Sequence, residues 1–129
     1  MTSLERIMEY SNIKGENLKE NDLITIKNLD KNWPNDGKIE FQNVSFSYDD
    51  NLADVIHNLT LKINAKEKIG IIGRTGAGKS SVFQALFRMG EYKGNILIDD
   101  INIRHVKLNE LRNIISIIPV SKFNIRFII

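Results

Sequence analysis

The segment Gly73-Arg74-Thr75-Gly76-Ala77-Gly78-Lys79-Ser80 constrains this chain more than any other stretch, because it fits G-x-x-x-x-G-K-[ST] between two apolar flanks. Before it, Ile69-Gly70-Ile71-Ile72 is a short, nearly continuous apolar run, the pattern of a strand buried on both faces of a mostly parallel sheet. After it, Ser80 to Met89 carries Val82, Phe83, Leu86 and Phe87 at helical spacing, with Gly90 placed to stop the helix. Strand, glycine-rich loop and helix in that order predict an α/β fold.

Each fixed position of the motif has a physical reason for its residue type. Glycines let the backbone turn tightly with no Cβ in the way, so that successive N–H groups point inward and form an anion-binding concavity. Such a loop cradles phosphates: Lys79 reaches the β- and γ-phosphates, Ser80 offers a hydroxyl to Mg2+, and the following helix directs its positive end at the same charge. The competing reading is a glycine-rich turn that only joins strand to helix. The flanking elements favour the cradle.

A chain of 129 residues has room for one core, and 42% hydrophobic with 26% charged residues is an ordinary globular balance. The net charge of +2, with no basic block, points to no nucleic-acid partner. Absence of cysteine excludes disulfides, thiolate metal sites and thiol catalysis, and two histidines argue against a histidine metal cluster. The N-terminus is not a secretory signal, and no run approaches the ~20 apolar residues of a membrane span.

Around the motif the chain divides into four parts. Residues 1–12 read as a short amphipathic helix, with Leu4, Ile7 and Met8 on one stripe behind Thr2 or Ser3 as N-cap, which fits equally a helix packed on its own domain and a connector helix arriving from a preceding one. Residues 13–37 read as a polar linker closed by the turn Trp33-Pro34-Asn35-Asp36-Gly37. Residues 38–119 form the domain proper. There Ile39 and Phe41, then Val44, Phe46 and Tyr48 after a change of phase, predict a bulged strand, and Leu59, Leu61 and Ile63 predict a second. Gly94 to Asp99 reads as a strand, Leu108 to Asn113 as a helical turn, and Ile114 to Ile118 as a last strand ended by Pro119. Residues 120–129 follow no clear pattern.

The string from Lys68 to Ser81 resembles the Walker A segment of ABC transporters, and of the multidrug-resistance-associated (C) class in particular. Thr2 to Tyr10 is similar to the connector that follows the last membrane span in that class, and Trp33-Pro34 with Gly37-Lys38-Ile39 to the start of its second nucleotide-binding domain. Asn43 to Tyr48, Ala85 to Arg88, and Leu111-Arg112 through Pro119 continue the likeness. The resemblance implies a partial P-loop NTPase-type core with an antiparallel β subdomain and without the helical subdomain. It implies ATP and Mg2+ as ligands, with Gly73, Thr75, Gly76, Ala77, Gly78, Lys79, Ser80 and Ser81 around the phosphates, Ser80 on the metal and Tyr48 stacked on the adenine. As partners it implies transmembrane domains and a second nucleotide-binding domain, which places this segment on the cytoplasmic face of a membrane transporter.

Three other sites are weighed and set aside. Asp99, at the end of Ile96-Leu97-Ile98, imitates the Mg2+ carboxylate of P-loop enzymes, but the resemblance puts this strand in the antiparallel subdomain and makes Asp99 and Asp100 turn residues. His57 and His105 do not match the position of the family's switch histidine, and are expected at the surface.

After Pro119 the family has a glutamine that senses Mg2+, where this chain has Val120, which can act neither as ligand nor as donor. The signature sequence, Walker B carboxylate, catalytic glutamate and switch histidine have no counterpart here. The expectation is ATP binding without significant hydrolysis, no catalytic residue, and uncovered apolar sheet edges that limit solubility. One alternative is a non-catalytic regulatory fragment that occupies nucleotide or partner domain. A small soluble P-loop kinase or GTPase using Asp99 for Mg2+ ranks last, because no base-specificity motif accompanies it.

Overall fold

The alternation that begins at residue 38 becomes one continuous strand, β1 (Ile39–Ser47), whose apolar side chains change phase at a bulge. Ile39 and Phe41 enter the core before it, Val44 and Phe46 after it, and all four are buried. The bulge centres on Asn43, at φ 50°, and interrupts the register on both sides of the strand. Side chains take over where the ladder breaks: Thr60 Oγ1 accepts from the Asn43 amide at 3.1 Å, and Ser45 Oγ accepts from the Asn58 amide at 3.0 Å. Gly94 sits against the same bulge at φ 84°, where a Cβ would lie 2.4 Å from the Asn43 carbonyl oxygen. Only glycine fits that approach.

The computed structural model describes residues 3–12, 32–118 and 126–128. β1 is flanked by β2 (Ile56–Ile63) and β3 (Glu91–Ile98), and β4 (Ile101–Asn102) closes the far edge, giving the order β2-β1-β3-β4 with every pair antiparallel. Asp99 and Asp100, at φ 46° and 64°, form the two-residue turn between β3 and β4, the left-handed pair that matches strand twist in a tight hairpin. Two further strands, β5 (Ser116–Ile118) and β6 (Arg126–Ile128), make a separate antiparallel pair. Ile114, read from the sequence as the start of the last strand, closes α3 (Leu108–Ile114) instead.

Two helices precede α3. α1 (Ser3–Ser11) has the expected amphipathic spacing, and Leu4, Ile7, Met8 and Tyr10 are exposed. Thr2 and most of the expected linker, residues 13–31, lie outside the described residues, as do Pro119 and Val120 to Ile125. α2 (Lys79–Leu86) turns Ala85 and Leu86 into the core, and Phe87 follows them. Its apolar face is narrower than expected, because Val82 and Phe83 are only half-buried. Gly90 is not its stop: Arg88 takes the left-handed position at φ 52°, and the Met89 amide donates back to the Gln84 carbonyl at 2.9 Å. Gly90 is required for a different reason, since a Cβ there would stand 2.5 Å from the Ser47 carbonyl oxygen.

Two arginines, Arg88 and Arg112, bind the end of α2 to the rest of the domain, and a third, Arg104, holds to β3. Arg88 donates to the carbonyls of Ile103 and Val106 at 3.1 and 2.8 Å, and Arg112 donates to those of Phe87 and Arg88, both at 3.1 Å. Arg104 donates to the Tyr92 carbonyl at 2.8 Å and lies over that ring, 4.6 Å from its centroid. Burial pushes the Arg88 guanidinium below its ordinary value, and nearby Arg104 and Arg112 add to the effect. Arg112 thus satisfies the carbonyls of Phe87 and Arg88 just past the end of α2, where a cation also suits the helix's negative pole.

Trp33, in the turn before β1, is buried, and its Nε1 donates to the Ile98 carbonyl at 3.1 Å. Beside it the Asp99 carboxylate accepts from the amides of Asp36, Gly37 and Lys38 at 3.0, 3.2 and 2.8 Å. Burial works to raise the Asp99 carboxyl, but these amides with that of Asn35 outweigh it and hold the group below its ordinary value. Asp99 therefore stabilises the fold above the usual carboxylate range near ~3.9, and the contribution is lost as pH falls through its depressed folded value. Asp99→Asn is expected to lower the thermal midpoint at neutral pH, with the gap to wild type closing below about pH 4. A gap that stays constant with pH would contradict the assignment.

Candidate functional site

The phosphate-loop candidate begins where β2 ends and the chain runs through Asn64 to Ile72 along the surface. The buried parallel strand expected over Ile69 to Ile72 is not formed. Ile69, Ile71 and Ile72 are exposed, Ile72 at 97%, and they belong to neither of the described sheets. A strand buried on both faces takes its hydrogen bonds and its cover from neighbours, which an apolar run cannot provide for itself.

The loop itself is shaped as its glycines dictate. Gly76 and Gly78 lie at φ 84° and 77°, and Gly78 is the residue from which α2 springs: its carbonyl accepts from the amides of Ser81 and Val82 at 3.0 and 3.2 Å. A side chain at Gly78 would be strained by that φ. The Ala77 amide donates to the Arg74 carbonyl at 3.1 Å, which curls residues 74–77 into a turn. Lys79 reaches back across the curl and donates to the carbonyls of Gly73 and Arg74 at 2.7 and 2.6 Å. Thr75, Ala77 and Ser80 are exposed, Ser80 in the first turn of α2.

Tyr48 follows the last residue of β1, and the turn at Asp49 to Leu52 leads from it toward β2. Its phenol meets Ser81 Oγ at 2.9 Å, so the end of the central strand is bonded to the first turn of the loop's helix. Phe46, two residues earlier, presents an edge-to-face contact with ring centroids 5.3 Å apart at 75°. Tyr48 keeps 44% of its surface exposed, whereas Ser81 is buried at 3%. The structure thus gathers Tyr48, Ser81, Lys79 and Gly73 around one loop, with Ser80 and the open backbone of residues 74–77 beside them. Phe46 is the supporting residue that motif reading missed. Its signal was present, since residues two apart on a strand share a face.

The donor set suits a polyphosphate: an ammonium, an exposed hydroxyl, and glycines at positive φ, of which Gly76 has open space where its Cβ would stand. Asp99 is not part of this set, since backbone amides take up its carboxylate. His57 lies on β2 and His105 in a 3-10 turn (Ile103–His105), both exposed. Among the described residues no group of three or more acidic, histidine or cysteine side chains could hold a metal ion, and no helix is long and apolar enough to cross a membrane.

Comparison with known proteins agrees with this geometry. The profile of the family described as "ABC transporter" matches residues 56–126. ABC transporter C family member 6 of Dictyostelium discoideum is 46% identical over 132 residues, covering 95% of this chain and 10% of that protein. Bile pigment transporter 1 of Saccharomyces cerevisiae is 46% identical over 120 residues, covering 92% of this chain and 8% of that protein. The chain therefore spans 8–10% of the length of these relatives. Among solved structures, a bacterial Atm1-family ABC exporter with ATP bound superposes with a TM-score of 0.65 at 29% identity, over 84% of this chain and 18% of that one. With the profile, the relatives and the fold in agreement, the chain belongs to the ABC transporter family, as a piece of its ATP-binding domain.

Proposed function

We propose that this chain is the N-terminal part of the second ATP-binding domain of a C-class transporter, and that it binds Mg-ATP without turning it over alone. The observation that carries the reading is the bond between Tyr48 and Ser81, which sets an exposed aromatic face beside the phosphate loop. Tyr48 stacks on the adenine; Gly73 and Thr75 to Ser81 surround the phosphates, with Lys79 toward the β- and γ-phosphates and Ser80 toward Mg2+. Relatives named as C family members support the class. Residues 1–12 serve as the connector, 13–37 as the linker, 38–119 as the partial ATP-binding domain and 120–129 as an atypical tail. In the parent protein the segment lies on the cytoplasmic face, working with transmembrane domains and a second nucleotide-binding domain to couple ATP to transport.

No catalytic residue is assigned. Phosphoryl transfer depends on positioning the attacking water and neutralising charge, and a cradle with a lysine and a hydroxyl supplies binding without that positioning. The test is calorimetric titration of the chain with ATP in the presence of Mg2+. Binding is expected, and Tyr48→Ala should weaken it by about five- to a hundredfold, the worth of one base stacked on an aromatic face. A folded wild-type chain that takes up no ATP would sink the proposal, and steady turnover abolished by Lys79→Ala would sink its non-hydrolytic half.

A further inference from the structure

We infer that the Asp36-Gly37 pair is a site of backbone isomerisation to isoaspartate, and that the Asp99 carboxylate holds it shut while the chain is folded. No other aspartate or asparagine in the sequence is followed by glycine. The glycine matters because a residue without Cβ leaves its amide nitrogen open to the side chain before it. Asp36 is exposed, in the bend between Trp33 and β1, so solvent reaches the pair. Gly37 stands at φ 71°, a conformation that favours glycine, so the susceptible sequence belongs to the shape of the turn.

The reaction needs only water. The Gly37 nitrogen gives its proton to solvent and attacks Cγ of the protonated Asp36 carboxyl; the N–Cγ bond forms, the Cγ–OH bond breaks, and water leaves a five-membered imide. Water then adds at the Asp36 main-chain carbonyl and breaks its bond to the Gly37 nitrogen, so the chain runs on through Cγ and the α-carboxyl is left free. The product has the same mass and one more atom in its backbone. In the folded chain the first step is opposed twice. The Gly37 amide donates to Asp99 Oδ2 at 3.2 Å, so stripping its proton sets negative charge against a carboxylate. Turning that nitrogen toward Cγ also rotates the peptide, while the amides on either side, of Asp36 and Lys38, are held on the same carboxylate at 3.0 and 2.8 Å. An added backbone atom would put these three amides out of step with Asp99, so isomerisation opens the clasp that prevents it.

The experiment ages the full chain at neutral pH, folded and in urea, cuts it with trypsin after Lys31 and Lys38, and reads isoaspartate in the peptide of residues 32–38 by electron-transfer fragmentation. Asp99→Gly, which suits the left-handed turn, Asp99→Asn and Asp100→Asn are aged beside it, each checked for fold by circular dichroism. The unfolded wild type is expected to isomerise, and the folded one about ten- to a hundredfold more slowly, the range for one hydrogen bond to a charged group. Asp99→Gly should recover that factor. Asp99→Asn, which keeps a neutral acceptor, should be faster than wild type by less, and it carries the comparison if the glycine variant does not fold. Asp100→Asn loses only the ion pair with Lys38 at 2.7 Å and should age like the wild type. No isoaspartate in the urea-unfolded chain would remove the site. A folded wild type that ages as fast as the unfolded one, or a folded Asp99→Asn no faster than wild type, would overturn the guarding role. Equal acceleration in Asp100→Asn would overturn it too, by assigning the protection to the turn at large.

Discussion

Phe46→Ala is expected to destabilise the chain by about 3–5 kcal/mol, the range for deleting a buried aromatic side chain. Phe46 has no exposed surface and stands on the central strand, paired with Ile56 on one side and Tyr92 on the other. Its ring passes so near Gly90 that a Cβ there would lie 2.9 Å from it, which shows how little slack the site has. Helix α2 and strand β3 meet at that point, so truncation opens a void between two elements that cannot both close on it. A small domain has only about 5–15 kcal/mol in total, and the variant should be largely unfolded at 37 °C. Urea unfolding followed by far-UV circular dichroism reads the effect as a lowered midpoint. A shift worth less than about 1 kcal/mol would mean that neighbours refill the void.

Lys79→Ala is expected to weaken ATP binding by about ten- to a hundredfold, since hydrogen bonds to charged groups are worth about 1.5–3 kcal/mol each. The ammonium donates to the Gly73 and Arg74 carbonyls, so the same group that would meet phosphate also ties the loop's first residues to its helix. Alanine removes both roles. Lys79→Arg should not rescue binding, because a planar fork cannot reproduce a compact ammonium that serves two carbonyls from within the curl. Titrations at two salt concentrations would check this: the wild type should lose affinity with added salt, and the alanine variant should show little salt dependence. Unchanged affinity in Lys79→Ala would remove the loop from nucleotide binding.

How far the sequence foretold the molecule depends on whether each signal was local. The change of phase between Phe41 and Val44 is written in consecutive residues, and it appears as the bulge at Asn43. The glycine-rich loop and α2 are equally local, and both form where the motif put them. Ile69 to Ile72 failed because burial of a strand is a property of its neighbours, and an apolar run says nothing about who stands beside it. Gly90 was recognised as necessary for the wrong reason, since close backbone approach and a left-handed φ leave the same mark on a sequence. The tail was read as patternless, yet residues 126–128 pair with β5; three residues are too few for alternation to show. The bonds made by Arg88, Arg104 and Arg112 run to carbonyls 12–25 positions away, and no periodicity encodes them. The same holds for Tyr48 and Ser81, which lie 33 positions apart.

Trp33 is the only tryptophan in the chain, and its indole sits in the core with its nitrogen bonded to the Ile98 carbonyl. The chain therefore contains its own optical probe, placed at a junction of segments 65 positions apart. Excited at the red edge of aromatic absorption, the molecule emits from this one site, and the emission should be blue while the indole is dry and move to the red once water reaches it. The signal reports the clasp between the turn before β1 and the end of β3 directly. A folding or ligand titration can then be read without a label at a point well removed from the phosphate loop.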